Sequence, residues 1–330
     1  MTSGDRSDLI RQLALAAGFD RVGITPARPP ARIDYFNDWL RRGWAGEMAY
    51  LHRSRDLRTD PTLLLAGARS VIVVAHNYHH GPAAEPTRPA GAPDSTAPRN
   101  GPPRGRIAQY AWGRDYHRTL RKKLHRLVDQ LHEAITEPFE TRVCIDTAPI
   151  IERETAAAAG IGWIGKNTMV LHQALGSFFF LAEIVTTLEL TPSSPVADHC
   201  GSCTRCLDAC PTGALVGPYQ MDARRCIAYL TIEHRSDIPA ELQPLMDDWV
   251  FGCDVCQEVC PYNRRPPATG EPAYELTHRN PLPPRPLLTE LTNLSEAQYR
   301  EHLAGSAMRR ATLPMLRRNA AIARRNGKKR

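Results

Sequence analysis

The sequence predicts a mixed α/β domain, of α/β or α+β type, followed by a small cysteine-rich domain. Helical and extended segments are interleaved over roughly the first 190 residues, without the strict alternation that marks a parallel sheet. Eight of the nine cysteines then fall between positions 200 and 260. A chain of 330 residues, 42% hydrophobic, is long enough for one large domain and a smaller one.

The N-terminal elements are predicted from apolar spacing and from capping residues. They are a helix over 8–17, a strand over 21–24, a helix over 34–42 and a strand over 70–75. Ser7 is the expected cap of the first helix. His76, His79 and His80 follow the last strand at irregular spacing, which favours a surface loop over a metal site; His117 is ambiguous in the same way.

Residues 81–105 interrupt this domain. Seven prolines and four glycines occupy these 25 positions, and hardly any apolar side chain accompanies them. Such a composition cannot form a core, so it predicts a mobile loop inserted into the domain.

A candidate acid lies in the second half of the domain. Apolar residues at helical spacing predict a long helix that ends before Pro138, and the next strand, 142–145, leads directly to Asp146. A partly desolvated carboxylate at a strand end can hold a proton and act as a general acid, although most such aspartates only cap turns. A helix over 152–159 and a strand or strand pair over 177–188 complete the domain.

The segment 160–167, G-I-G-W-I-G-K-N, matches two glycine-rich phosphate-binding patterns. Both matches are misleading, because Asn167 replaces the Ser or Thr of a P-loop and a helix, not a strand, precedes the segment. We interpret the glycines as allowing a bulky cofactor to approach the backbone.

The cysteines form two runs. The first, Cys200–Pro211, reads C-G-S-C-T-R-C-L-D-A-C-P. This is the spacing of bacterial ferredoxins, in which three thiolates hold one 4Fe–4S cluster and the fourth serves another. Cys253, Cys256 and Cys260 form the second run, and Cys226 supplies its missing member. The pattern predicts two clusters and electron transfer; the alternative is structural zinc, which normally uses four ligands in two pairs.

The C-terminal region is rich in proline and then basic. Prolines from 261 onward predict an extended connection, followed by a short helix over 295–303 and a last helix over 313–325. The net charge is +7, and nine Arg or Lys and no acidic residue lie between 309 and 330. Such a block either attracts phosphate backbones or serves only to solubilise the chain.

The remaining composition predicts a soluble cytoplasmic protein. The sequence does not settle the oligomeric state, but nothing in it suggests an obligate assembly, so we expect a monomer. C-x-x-C pairs favour metal binding over disulfides. The N-terminus lacks a signal-peptide pattern, and no apolar run approaches the roughly 20 residues of a membrane helix.

Taken together, these motifs resemble the epoxyqueuosine reductases, cobalamin-dependent iron–sulfur enzymes of tRNA modification. The matching stretches are Gly43–Leu51, Arg58–Pro61, Tyr110–His117, Asp146–Pro149, Gly160–Asn167, Cys200–Ala214, Met221–His234, Phe251–Pro261 and Arg317–Ile322. They extend over most of the chain. The chain departs from the family in the insertion at 81–105, and we expect it to lack the helical-repeat extension that some relatives carry.

The resemblance implies a domain organisation and a set of site residues. Residues 1–190 would form a cobalamin-binding catalytic domain, 191–265 a ferredoxin-like domain with two clusters, and 266–330 a connection and a basic helix. Asp146 would be the proton donor. Cluster 1 would use Cys200, Cys203, Cys206 and Cys260; cluster 2 would use Cys210, Cys226, Cys253 and Cys256. Cobalamin contacts, partly main-chain, would be Arg58, Ala108, Asp146, Val170, Leu181 and Ala228.

The implied function is reduction of epoxyqueuosine to queuosine at the wobble position of tRNA, with electrons from an unidentified external donor. By hypothesis, the basic helix contacts tRNA through Arg317, Arg318, Arg324 and Arg325. Two alternatives stay open: a cobalamin and iron–sulfur reductase of a small molecule, such as a reductive dehalogenase, and an electron-transfer protein of ferredoxin type.

Overall fold

The computed structural model describes residues 1–81, 101–276 and 282–328. The α-helices are α1 (Ser3–Ala16), α2 (Ile33–Arg41), α3 (Ala49–Arg53), α4 (Arg55–Thr59), α5 (Tyr116–Ala134), α6 (Glu152–Ala158), α7 (Arg205–Asp208), α8 (Ile227–Ile232), α9 (Val255–Glu258), α10 (Leu288–Thr292), α11 (Glu296–His302) and α12 (Leu313–Lys328). The strands are β1 (Arg21–Pro26), β2 (Ser70–Asn77), β3 (Arg106–Ile107), β4 (Thr141–Cys144), β5 (Trp163–Ile164), β6 (Val170–Leu171), β7 (Phe179–Thr186), β8 (Leu215–Gly217), β9 (Gln220–Met221) and β10 (Trp249–Phe251).

The chain divides into two compact units, each built from separate segments. The first unit comprises Met1–Gly43, Ala49–Asn77 and Tyr116–Cys203, and the second comprises Trp44–Met48, Tyr78–Asp115 and Thr204–Arg330. The three contiguous domains predicted above, with boundaries at 190 and 265, stay a prediction.

An antiparallel sheet in the order β1-β2-β7-β4 organises the first unit. β2 lies between β1 and β7, and Ile72 pairs with Ile24 on one side and Ile184 on the other. All eight residues of β2 are buried, which explains its continuous apolar run. The predicted strand or strand pair over 177–188 is the single strand β7. The mixed α/β class is therefore confirmed, in its α+β form.

The core of this unit lies where α6 packs on the sheet. Val71 and Val73 of β2 share a hydrophobic cluster with Ala156 of α6 and with Ala159, which caps it. A Cβ on Gly23 of β1 would lie 2.0 Å from the Ala159 carbonyl oxygen, so helix and strand approach at backbone distance. This close approach positions α6 behind the end of β4.

Two local predictions in this unit are wrong. The cap of α1 is Thr2, whose side chain accepts a hydrogen bond from the Asp5 N–H while Asp5 accepts one from Thr2. Ser7 is fully buried and donates to the Ser3 carbonyl oxygen instead. His76 belongs to β2 and is 4% exposed, so it is not part of a surface loop.

Helix α12 contributes buried residues to the core of the second unit. Leu316 and Ala320 are fully buried, in a cluster that includes Val250 and Phe251 of β10. Asn319, also fully buried, donates to the carbonyl oxygens of Thr231 at 2.9 Å and Val250 at 3.0 Å. The basic C-terminal segment thus contributes to a core and is not a free tail.

Residues 82–100, most of the predicted mobile loop, lie outside the described residues. The end of the loop is held in the second unit. Arg104 forms an isolated antiparallel β-bridge with Leu287, and the Gly105 N–H donates to the Pro286 carbonyl oxygen at 2.9 Å. Within the described ranges, no helix has both the length and the apolar composition needed to cross a membrane.

Candidate functional site

Asp146 lies just beyond β4 in an unusual backbone conformation. Its φ is +43°, which is uncommon outside glycine and tolerated by aspartate. Its N–H donates to Oε1 of Glu152 at 2.7 Å, and its Oδ2 lies 3.0 Å from Nε2 of His117. The Asp146 side chain is 50% exposed. The turn therefore presents a carboxylate that solvent, or a substrate, can reach.

His117 is oriented by an aromatic stack. The Tyr116 ring lies parallel to that of Phe180 on β7, with centroids 4.1 Å apart, and the His117 ring stacks on Tyr116 at 4.2 Å. The stack fixes the imidazole plane, and Nε2 faces Asp146. A histidine and a carboxylate at this distance can hold one proton and pass it between them. The histidine that the sequence left ambiguous is thus part of the acidic site.

Two further carboxyl groups lie behind Asp146. Burial raises the pKa of Glu152 to about 7, and the negative charge of Asp146 adds to the rise. Burial also raises the pKa of Glu183, helped by Glu152 and Asp146. Glu183 is fully buried on β7, and neither of its carboxyl oxygens has a hydrogen-bond partner within the described ranges. Burial without a partner therefore favours the neutral, protonated form of Glu183.

Arg58 places a cation beside these acids. It is 8% exposed, and it donates to the Ile150 carbonyl oxygen at 3.2 Å and to Oγ of Ser54 at 3.0 Å. Burial lowers the pKa of Arg58, whereas the charges of neighbouring groups, Glu152 and Asp146 among them, raise it. A buried guanidinium remains charged and partly offsets the carboxylates.

The other positions that the resemblance implies for cobalamin lie in both units. In the first, Val170 on β6 is 3% exposed and Leu181 on β7 packs, partly buried, against the same cluster. In the second, Ala108 is 1% exposed and Ala228 on α8 is half-buried. The Val170 and Ala108 side chains are committed to packing, so only their main-chain atoms could meet a cofactor. Contact of these residues with cobalamin stays a prediction.

The glycines of 160–167 are required by packing within the chain itself. A Cβ on Gly162 would lie 2.0 Å from the Leu171 carbonyl oxygen, and one on Gly160 would lie 2.4 Å from that of Ser194. Gly160 also has a φ of +75°. The chain itself occupies the space that side chains would need, as β5 and β6 form a tight hairpin. Approach of a cofactor is not required to explain these residues.

The second cysteine set lies together in the second unit. Burial raises the pKa of Cys253 and Cys256, and the charges of neighbouring thiols raise both values further. Cys226 acts on both cysteines, and Cys210 and Cys206 act on Cys256. Thiols are the donors of an iron–sulfur cluster, whose iron would hold them deprotonated. In the described ranges no three His, Cys, Asp or Glu side chains are arranged to hold a single metal ion.

Two cysteines of the first set form a turn in the first unit. The Cys203 N–H donates to the Cys200 carbonyl oxygen at 3.1 Å. Burial raises the pKa of the Cys200 thiol, whereas the neighbouring Lys166 backbone and Trp163 indole lower it. Cys206 on α7 and Cys260 belong to the second unit. The division of the eight thiols between two clusters stays a prediction.

The candidate RNA-binding arginines have structural contacts of their own. Arg317 donates to the Leu294 carbonyl oxygen, and Arg318 donates to those of Leu230 and His234. Arg325 donates to Oε1 of Gln243 at 2.8 Å. At least three of the four predicted arginines thus fasten α12 to its unit, and contact with RNA stays a prediction for all four.

Sequence reasoning missed Glu152 and Glu183. No motif pointed to Glu152, because its role depends on a turn that brings it back to Asp146, six residues earlier in the chain. Glu183 did carry a signal: it is the one acid in a strand whose other residues are apolar or threonine. A charged group at such a position is rarely buried without a function or a partner.

Comparison with known families and proteins identifies the chain's relatives. Residues 199–263 match a family model described as a 4Fe-4S double cluster binding domain, which confirms the predicted two-cluster domain. Residues 58–147 match a model described as "Epoxyqueuosine reductase QueG, DUF1730". The epoxyqueuosine reductase of Cellulophaga algicola is 39% identical over 324 residues, or 96% of this chain and 98% of the relative. That of Escherichia coli K12 is 40% identical over 314 residues, or 95% and 79%.

Solved structures agree with the sequence relatives. An epoxyqueuosine reductase crystallised with an epoxyqueuosine-modified tRNA-Tyr stem loop superposes with a TM-score of 0.86 at 32% identity, over 99% of this chain and 83% of that one. The Bacillus subtilis enzyme, with the aspartate catalytic loop swung out of its active site, gives 0.83 at 32% identity, over the same shares. These similarities confirm the resemblance seen in the motifs: the chain belongs to the epoxyqueuosine reductase family.

Proposed function

We propose that this chain reduces epoxyqueuosine to queuosine at the wobble position of tRNA, using cobalamin and two 4Fe–4S clusters. The observation that carries the proposal is the half-exposed Asp146 carboxylate, held at the end of β4 by Glu152 and paired with His117. The names of the relatives and the tRNA stem loop in one of their structures support the substrate.

The reaction breaks both carbon–oxygen bonds of an epoxide and leaves an alkene and water, which takes two electrons and two protons. Bound cobalamin would supply low-potential chemistry at the substrate carbon, with electrons delivered singly by the clusters. Asp146 protonates the departing oxygen, which its exposure allows. His117, 3.0 Å away, steadies the carboxyl group and returns a proton to it for the second transfer.

The neighbouring groups keep this acid in place. The Glu152 carboxyl group accepts a hydrogen bond from the Asp146 N–H and so fixes the backbone of Asp146. The position of the Asp146 carboxylate therefore does not depend on its own side-chain rotamer alone. Arg58 limits the accumulation of negative charge among the carboxyl groups. Together they hold Asp146 where a proton is needed without occupying its exposed oxygens.

The assignments of the resemblance belong to this proposal. Cys200, Cys203, Cys206 and Cys260 would hold cluster 1, and Cys210, Cys226, Cys253 and Cys256 cluster 2. The influence of Cys226 on the pKa of both Cys253 and Cys256 supports grouping these three, whereas the pKa of Cys256 is influenced by Cys210 and Cys206 alike. Cobalamin would contact Arg58, Asp146, Leu181 and Ala228, with main-chain contacts at Val170 and Ala108. The monomeric state, the cytoplasmic location and the external electron donor stay predictions.

An anaerobic preparation tests the cofactors. We expect about eight iron and eight sulfide per chain, and a corrin absorbance on addition of cobalamin. Clusters without cobalamin binding would leave the electron-transfer alternative. Turnover of a free epoxide compound as fast as that of the RNA would favour the small-molecule alternative.

The variant Asp146→Asn tests the acid. Asparagine tolerates the positive φ and keeps a hydrogen bond to His117, but it has no proton to donate. We expect normal iron, sulfide and cobalamin content and a loss of turnover on epoxyqueuosine-containing tRNA of about 10²- to 10⁴-fold.

Asp129→Asn is the matched control, since Asp129 is an exposed aspartate on α5. It should turn over like the unaltered chain. Equal turnover in Asp146→Asn and the control would remove Asp146 from its proposed role.

A further inference from the structure

Lys166 connects the glycine-rich segment to the first cysteine turn. Its Nζ donates to the Gly201 carbonyl oxygen at 2.6 Å and to that of Cys203 at 3.0 Å. Both acceptors lie in the turn that carries Cys200 and Cys203. The lysine of the apparent phosphate-binding motif is thus engaged by two carbonyl groups of its own chain, which explains why the motif is present without a nucleotide site.

The loop that presents Lys166 is rigid. The Gly165 N–H donates to the Met169 carbonyl oxygen, and the Thr168 N–H donates to that of Gly165, both at 2.8 Å. Asn167 is 3% exposed, and its Oδ1 accepts a hydrogen bond from the Met169 N–H. These hydrogen bonds fix the backbone at Lys166, and the two carbonyl acceptors fix the position of its ammonium group.

The cysteine turn is braced by the same hairpin at a second point. The Trp163 ring on β5 meets the His199 ring edge-on, with centroids 5.0 Å apart. Within the turn, Gly201 has a φ of +50° and the Cys200 N–H donates to Oδ1 of Asp198 at 2.7 Å. The turn therefore has a conformation defined by contacts on both sides.

We propose that Lys166 is a positioning residue for the cluster held by Cys200 and Cys203: it keeps their turn in the ligating conformation and places a fixed positive charge beside that cluster. The inference rests on the cluster assignment proposed above. Reduction adds one negative charge to a cluster, and a nearby cation stabilises the reduced form. Lys166 thus raises the midpoint potential of one cluster relative to the other, which biases the direction of electron flow between them.

Three variants test this inference. Lys166→Met removes the charge and the donors at similar length, and Lys166→Arg keeps both. Lys123→Met is the control, because it removes the same charge from a lysine of the same unit that donates to the Ala17 carbonyl oxygen, away from the turn. For each, iron and sulfide content and the midpoint potentials of both clusters are measured anaerobically by a redox titration followed by electron paramagnetic resonance.

We expect Lys166→Met to move one of the two potentials to a more negative value and to leave the other unchanged, while Lys166→Arg and Lys123→Met stay near the unaltered chain. Iron content that falls to about half in Lys166→Met alone would equally support the positioning role. Unchanged iron and potentials in Lys166→Met, or equal shifts in Lys166→Met and Lys123→Met, would overturn it. An unaltered chain without about eight iron would instead overturn the cluster assignment and, with it, this inference.

Discussion

At the scale of single residues, the chemistry depends on a main-chain hydrogen bond. Asp146 has a backbone conformation that costs about 1 kcal/mol or more, and the Glu152 carboxylate helps to stabilise it by accepting the Asp146 N–H. The acid's position is therefore set by a residue with no direct part in proton transfer. His117 adds a second constraint through the carboxylate itself.

Variants of Glu152 test the main-chain hydrogen bond separately from the contact with His117. Glu152→Leu has no acceptor for the Asp146 N–H, so the turn loosens; we expect kcat to fall about 10- to 100-fold with KM nearly unchanged. Glu152→Gln keeps an acceptor oxygen and should recover most of this loss. Steady-state kinetics on modified tRNA measures both. If Glu152→Gln were as slow as Glu152→Leu, the charge of Glu152, and not its hydrogen bond, would matter.

The raised pKa of Glu152 also predicts how stability depends on pH. Its pKa rises from 4.5 to about 7 in the folded chain, so between those values the folded chain binds more protons than the unfolded one. Stability from this group is therefore complete below pH 4.5 and declines as the pH rises towards 7, by at most about 3 kcal/mol.

Glu152→Gln does not titrate, so its melting temperature should decline less between pH 5 and pH 8 than that of the unaltered chain. Thermal scans of the cluster-loaded protein at four pH values measure this difference. Parallel curves for the two proteins would contradict the assignment of a raised pKa to Glu152.

At the scale of elements, the contact between β1 and α6 positions the whole site. α6 begins with Glu152, and the end of the helix packs at backbone distance over Gly23. A side chain at position 23 would push the helix away from the sheet, and Glu152 would move with it. Strand β1 therefore helps to position Asp146 indirectly, through its contact with α6.

Gly23→Ala should therefore destabilise the fold, by about 1–3 kcal/mol, because its Cβ would overlap the Ala159 carbonyl oxygen. Gly4→Ala is the control: it lies in α1 and its Cβ would make only ordinary contacts, so we expect a gain of about 0.5–1 kcal/mol. Thermal or denaturant unfolding compares the two. A Gly23→Ala chain as stable as Gly4→Ala would contradict the close packing.

At the scale of the whole molecule, the basic C-terminal segment has two possible tasks. α12 contributes Leu316 and Ala320 to the core of the second unit, and Arg318 fastens it by hydrogen bonds to main-chain oxygens. Deleting the helix would therefore remove core residues together with charge. A test of RNA binding has to change charge alone.

The double variant Arg324→Gln with Arg325→Gln removes two charges near the end of α12 without removing a core residue, although it also gives up the hydrogen bond from Arg325 to Gln243, so its melting temperature is compared with that of the unaltered chain. If these arginines contact RNA phosphates, binding should weaken and the slope of log affinity against log salt should fall in magnitude by about 1 to 2. Arg118→Gln with Arg121→Gln, two exposed arginines of α5, is the matched control. Identical slopes for the two double variants would show that the basic end of α12 has no specific part in RNA binding.

Local patterns in the sequence determined a large part of this protein. The intervals between cysteines predict two clusters because thiolate spacing within a few residues reflects ligation directly. Helices such as α5 and the buried strand β2 follow from apolar periodicity, which is also local. Asp146 and the family could be predicted because their motifs are contiguous.

Only the tertiary structure decided the rest, because it depends on residues far apart in the chain. Burial of Glu183 requires the sheet to close around it, the role of Lys166 requires a turn 35 residues away, and α12 enters a core with a strand 60 or more residues earlier. The glycines of 160–167 show the same dependence: the motif indicates a close approach to the backbone, and the fold shows that the chain itself makes one at Gly160 and Gly162. Approach of a cofactor stays a prediction.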